Sequence, residues 1–129
     1  MGILVMEVIL LEITLFNQSG SPTAYIDKTR KNTIFLWDGH AVGYIEEGQV
    51  FSLKGDHIGW FEDDVFYNAE GFKLAATKWA CPMVTAYEPN KSDKFPFMLE
   101  VKADTNKMKK VLKNAYGHET LVEYLNKYR

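Results

Sequence analysis

Three stretches, IFLWDGHAVGYIEE at 34–47, VFSLKGDHIGWFED at 50–63 and FYNAEGFKLAATKW at 66–79, line up at a step of sixteen residues. LFNQSGSPTAYIDK at 15–28 makes a fourth copy once the connection after it is allowed three further residues. So short a repeat constrains the fold sharply. A unit of this length cannot bury its own apolar face, so the copies must close against one another.

Each copy opens with a large apolar residue (Leu15, Ile34, Val50, Phe66) followed by an aromatic (Phe16, Phe35, Phe51, Tyr67), as a strand does. A glycine follows after polar residues, at Gly20, Gly39, Gly55 and Gly71, and suits the positive-φ position of a hairpin loop. The returning strand carries Thr23, Val42, Ile58 and Leu74, then the small residues Ala24, Gly43, Gly59 and Ala75, then Tyr25, Tyr44, Trp60 and Ala76. Neighbouring residues of a strand face opposite ways, so the small and aromatic positions lie on different faces. Small residues at four equivalent places imply crowded backbones, as near a symmetry axis. Closing four hairpins in a ring buries their apolar faces and removes free edges. The expectation is a mainly β protein, a small antiparallel pseudo-fourfold β-barrel of four repeated hairpins.

The segments ITLFNQSGSPTAYID, TIFLWDGHAVGYI, VFSLKGDHIGWFEDD and VFYNAEGFKLA together resemble the four-fold β-flower proteins over residues 13 to about 80. The resemblance implies a shallow, symmetric barrel of four hairpins, in a mostly bacterial family with no assigned biochemical role and no catalytic residue to carry over. The fourth unit departs from the pattern, with Ala75-Ala76-Thr77 in place of a glycine and an aromatic, and the tail is unmatched. An uneven ring is expected.

Outside the repeat, residues 3–13, ILVMEVILLEI, favour strand by their β-branched content, with a bend or break before Phe16. Pro82, Pro89 and Pro96 mark an irregular connection. Residues 97–102, FMLEVK, alternate as one further strand would. From about Asp104 the spacing turns helical. Met108, Val111, Leu112 and Ala115 share one face, Gly117 stands as a C-cap, and Leu121, Val122, Leu125 and Tyr128 continue the stripe in a second short helix. The whole, residues 1–129, reads as a single domain with a C-terminal extension holding a strand and one or two helices.

Charge separates the two parts. Residues 1–80 carry 11 acids and 6 bases, residues 81–129 carry 6 acids and 9 bases. Neither imbalance makes the concentrated basic face of a nucleic-acid binder. One cysteine, Cys81, excludes an intramolecular disulfide and fits a reducing compartment. The N-terminal run lacks a leading Lys or Arg and is broken by Glu7 and Glu12, unlike an export signal or a membrane span. The cytoplasm is the expected location.

Four groups of residues could carry chemistry. Tyr25, Tyr44 and Trp60, repeated aromatics, are the candidate ligand-binding residues, able to line a pocket or cage a cation; the plainer reading is core packing. His40 and His57, in successive turns beside Asp38 and Asp56, lack the spacing of metal ligands, and no metal or cofactor is expected. Glu46, Glu47, Glu62, Asp63 and Asp64 read as a solvated acidic rim. Lys107, Lys109, Lys110 and Lys113, the candidate partner-binding residues, give the tail a basic side able to meet an acidic partner, anionic lipid or the acidic barrel itself.

No catalytic constellation is visible. The expectation is therefore a non-enzymatic binding or interaction domain for a protein partner or a small apolar ligand. The alternatives are a small enzyme using His40, His57, Asp38 and Asp56 at the barrel mouth, and a protein associated with a membrane surface.

Overall fold

A computed structural model describes residues 11–81, 83, 86–100 and 109–128. Eight strands run in sequence order around a closed antiparallel barrel. They are β1 (Glu12–Phe16), β2 (Pro22–Asp27), β3 (Thr33–Phe35), β4 (Ala41–Glu46), β5 (Gln49–Phe51), β6 (His57–Glu62), β7 (Val65–Asn68) and β8 (Lys73–Ala76). The expected four hairpins are β1–β2, β3–β4, β5–β6 and β7–β8.

The fourfold pattern extends to individual backbone bonds. Each hairpin loop is closed by an amide four residues before its carbonyl partner: Asn17 to Ser21, Leu36 to His40, Ser52 to Asp56 and Asn68 to Phe72, all at 2.8–2.9 Å. Within each loop the glycine amide turns back to the carbonyl of the residue that opens it. The glycines hold φ between 85° and 95°, the left-handed region that the sequence pattern predicts. Asparagine side chains brace the outer pair of loops: Oδ1 of Asn17 accepts the amides of Ser19 and Ser21, and Oδ1 of Asn68 those of Glu70 and Phe72.

Between units, Glu47-Gly48 and Asp63-Asp64 form two-residue turns with positive φ throughout. The acidic cluster thus supplies turn residues as well as exposed charge. The longer connection after β2 ends in Lys31 and Asn32, also at positive φ.

Large and small residues pair across each hairpin: Leu15 with Ala24, Ile34 with Gly43, Val50 with Gly59 and Phe66 with Ala75. These apolar side chains form one buried cluster together with Val42, Ile58 and Leu74. A register shift in every hairpin accommodates the residue before the small one. The small residues are needed for a reason more local than a symmetry axis. A Cβ on Gly43 would stand 2.7 Å from the Phe51 carbonyl oxygen, and one on Gly59 2.1 Å from that of Tyr67.

The barrel is closed by its own C-terminus. The helix α1 (Leu121–Asn126) begins with a capping box, in which Thr120 Oγ1 accepts the Glu123 amide and the Glu123 carboxylate accepts the Thr120 amide. Leu121, Tyr124 and Leu125 are buried within the interior cluster. The Tyr124 hydroxyl donates to the Ile58 carbonyl at 2.6 Å and accepts the Ala69 amide at 3.1 Å. Burying two leucines in this way contributes about 1.5–3 kcal/mol each.

The tail differs from the sequence expectation in three places. Residues 97–100 form no strand, because the amide of Glu100 bonds to the Leu53 carbonyl of a hairpin loop rather than to a ladder. Residues 109–117 form no helix: the Lys113 amide donates to Gly71 O, and Ala115 O accepts the Lys73 amide, so these groups serve the barrel. Val111, expected on the apolar face, is 83% exposed. Gly117 is not a helix cap; a Cβ there would meet Asn68 and Phe72 at 3.3 Å. Only the second expected helix forms among the described residues. Residues 3–10, 101–102, Lys107 and Met108 lie outside them.

Candidate functional site

The described tail is a strap that meets all four hairpin loops in order. Ala86 N bonds to Gly20 O, Ser92 N to Trp37 O, Phe95 N to Gly39 O, Glu100 N to Leu53 O and Lys113 N to Gly71 O. Gly39 and Gly71 are gripped alike: the strap carbonyl two residues before the donor, Asp93 or Val111, lies 2.0 or 2.4 Å from where a Cβ would stand. Glycine is required here by its positive φ and by the strap.

Where the strap crosses the second and third loops it leaves an apolar cleft of about 300 Å³. Ala41 and Val42 of β4, Leu53 of the third loop and Phe95–Met98 of the strap line it, with His40, Lys54 and Tyr128. Phe97 stands edge-on to Phe35, with centroids 5.6 Å apart, and Phe95 lies flat on the His40 imidazole at 4.4 Å. Phe95 is 50% exposed and Met98 85%.

The three candidate aromatics do not meet at one place. They occupy successive seams between hairpins, Tyr25 opposite Phe35, Tyr44 opposite Phe51 and Trp60 opposite Tyr67, on the face away from the interior cluster. At the closing seam Ala76 faces Phe16, the counterpart of Phe35, Phe51 and Tyr67, so this seam pairs one aromatic with a small residue where the other three pair two aromatics. Tyr25 and Tyr44 are nearly fully buried, and burial pushes both phenols above their ordinary pKa. Tyr44 stacks on Phe51, and His57 stands edge-on to Trp60.

Among the described residues, Tyr25 is the one of the three that adjoins lysines. Lys91 lies 4.8 Å above its ring and Lys94 5.7 Å from it. Lys94 bridges Glu12 at 2.7 Å and the nearly buried Asp27 at 2.6 Å, while Lys91 holds Glu12 at 2.9 Å. Burial alone would raise Glu12 and Asp27, but the hydrogen bonds from the strap lysines and, at Asp27, from Thr29 bring both carboxyls below their ordinary values. Burial works against the Lys94 ammonium; its two acidic partners prevail and raise it.

The candidate lysines serve the strap individually. Lys109 pairs with Glu62 at 2.6 Å, and Lys113 donates to the Glu70 carbonyl and lies over Phe72. Lys110 is exposed, and Lys107 is outside the described residues. Of His40, His57, Asp38 and Asp56, His40 alone lines the apolar cleft; its Nδ1 is 3.1 Å from Asp38. Among the described residues no three His, Cys, Asp or Glu side chains are grouped to hold a metal. No helix there is long and apolar enough to cross a membrane.

Sequence reasoning missed the residues that shape both places. Phe97 falls in the strand expected at 97–102, while Lys91, Lys94 and Phe95 stand in the expected irregular connection with no role assigned. The one available signal was the pairing of a positive tail with a negative repeat.

The 4-fold beta flower protein family matches the chain over residues 13–125. The match runs past residue 80 and takes in the strap and α1, which the sequence resemblance had left out. No curated protein and no solved structure matches the chain. A barrel of four equivalent hairpins, closed by its own tail and matched over that whole extent, belongs to the 4-fold β-flower family.

Proposed function

We propose that the protein is a non-enzymatic binding domain whose cleft between the second loop, the third loop and the strap takes a small apolar ligand. The observation that carries the reading is the cleft's lining: Ala41, Val42, Leu53, Pro96, Phe97 and Met98 converge on about 300 Å³. That volume is at the lower end for small-molecule sites, and apolar walls with a few polar groups at the edge are their usual make-up. His40 and Tyr128 would orient the ligand's polar end. The half-buried Cys81, the one thiol of the chain, suits the reducing cytoplasm of a bacterium, and we place the protein there.

The test is calorimetric titration of the full chain with 2-naphthol and with n-octanol, repeated on Leu53→Asp. Leu53 is only partly buried, so the variant retains the fold while placing a charge in the cleft. Saturable binding that weakens at least about tenfold in the variant supports the reading. Absence of saturable binding, or equal binding by the variant, overturns it.

A further inference from the structure

A second cleft, independent of the apolar one, opens where the strap crosses β1 and the end of β2. It holds about 460 Å³, and its charged lining alternates in sign: Glu12, Asp27 and Glu88 against Arg30, Lys91 and Lys94. Much of this charge is committed. Lys94 and Lys91 clamp Glu12 and Asp27, and Thr14 binds one oxygen of Glu88.

Two groups lining the cleft remain open. Arg30 reaches Asp27 through Nε at 3.4 Å, and its side chain is 52% exposed, so the terminal fork of the guanidinium is accessible. The second oxygen of Glu88 has Lys91 no nearer than 3.7 Å, beyond a hydrogen bond.

The two open groups differ in kind: a planar cationic donor and an anionic acceptor. A bare anion would gain Arg30 but face three carboxylates, and a bare cation would meet the reverse. A dipolar molecule satisfies both ends. We propose that this cleft binds a small zwitterion of the α-amino-acid class, with its carboxylate on the Arg30 fork and its ammonium on Glu88. A guanidinium and a carboxylate meet through two parallel hydrogen bonds, a geometry that lysine cannot supply.

The test is calorimetry of the full chain against a panel of free L-α-amino acids. Each one that binds is compared with its N-acetyl and carboxamide derivatives and with acetate. Arg30→Gln is titrated alongside, its folding verified by circular dichroism. Expected is at least one amino acid with Kd below about 1 mM, weakened at least about tenfold by either derivative and by Arg30→Gln. Three results overturn the proposal: no binding at about 10 mM, binding unchanged in Arg30→Gln, or acetate binding as tightly as the amino acid.

Discussion

The amide of Phe95 donates to the carbonyl of Gly39 at 2.9 Å, and the carbonyl of Asp93 occupies the space a Gly39 side chain would need. The same grip recurs where Lys113 meets Gly71. The loop glycine that lets the hairpin turn also lets the strap lie down. The barrel, the strap and the cleft between them are one construction.

Gly39→Ala is therefore expected to cost more than a positive-φ alanine alone. An added Cβ meets Asp93 O at 2.0 Å, against 3.4 Å to the nearest described atom at Gly48, which belongs to Phe61 of the barrel. We expect a loss of about 2–3 kcal/mol for Gly39→Ala and about 1 kcal/mol for Gly48→Ala, read by urea unfolding. Limited proteolysis will cut the strap earlier in Gly39→Ala and leave the Gly48→Ala strap intact.

The Lys94 clasp sets a dependence on pH. The Glu12 and Asp27 carboxyls are held below their ordinary values in the fold, so their contribution is complete above the unfolded values near 4 and is lost as pH falls through the folded ones. Lys94 is raised, so its contribution is complete below its ordinary 10.5 and is lost as pH rises through the folded value. Lys94→Met will lower stability by about 1–3 kcal/mol at neutral pH by leaving Asp27 under-bonded. The variant will also show a shallower fall in stability below pH 4, measured by denaturant unfolding across pH.

Asp63 and Asp64 hold φ of 51° and 66° in a two-residue hairpin turn, a conformation glycine adopts without steric cost. Asp64→Gly is expected to stabilise the protein by about 0.5–1 kcal/mol, seen as a raised midpoint in urea with the slope unchanged.

Tyr124 anchors α1 in the interior cluster. Tyr124→Phe removes the bond to the Ile58 carbonyl and leaves the Ala69 amide without its partner, for a loss of about 1–3 kcal/mol. Leu125→Ala will lose about 2–5 kcal/mol through the cavity it leaves. Hydrogen exchange at Ala69 will quicken in both.

The hairpins were legible because one set of positions recurs: Gly20, Gly39, Gly55 and Gly71 mark the loops, and Leu15, Ile34, Val50 and Phe66 the interior. The strap was illegible because it is held by main-chain groups, such as Phe95 N to Gly39 O, which any sequence can offer. The helical spacing of Val111, Leu112 and Ala115 was a coincidence of pattern, since the backbone there is committed to the barrel. The absent fourth aromatic at Ala76 was visible, but that Ala76 stands opposite Phe16 follows only from ring closure. The apolar cleft needs residues from two hairpins and the strap, a convergence without any local signature.

The ligand reading is tested most directly by amide NMR shifts of the isotope-labelled full chain during titration with 2-naphthol. We expect the largest saturable shifts at Val42, Leu53, Phe97 and Tyr128, with the Tyr44 and Trp60 seams unmoved. Shifts centred on Tyr44 and Trp60, or none that saturate, would contradict the account.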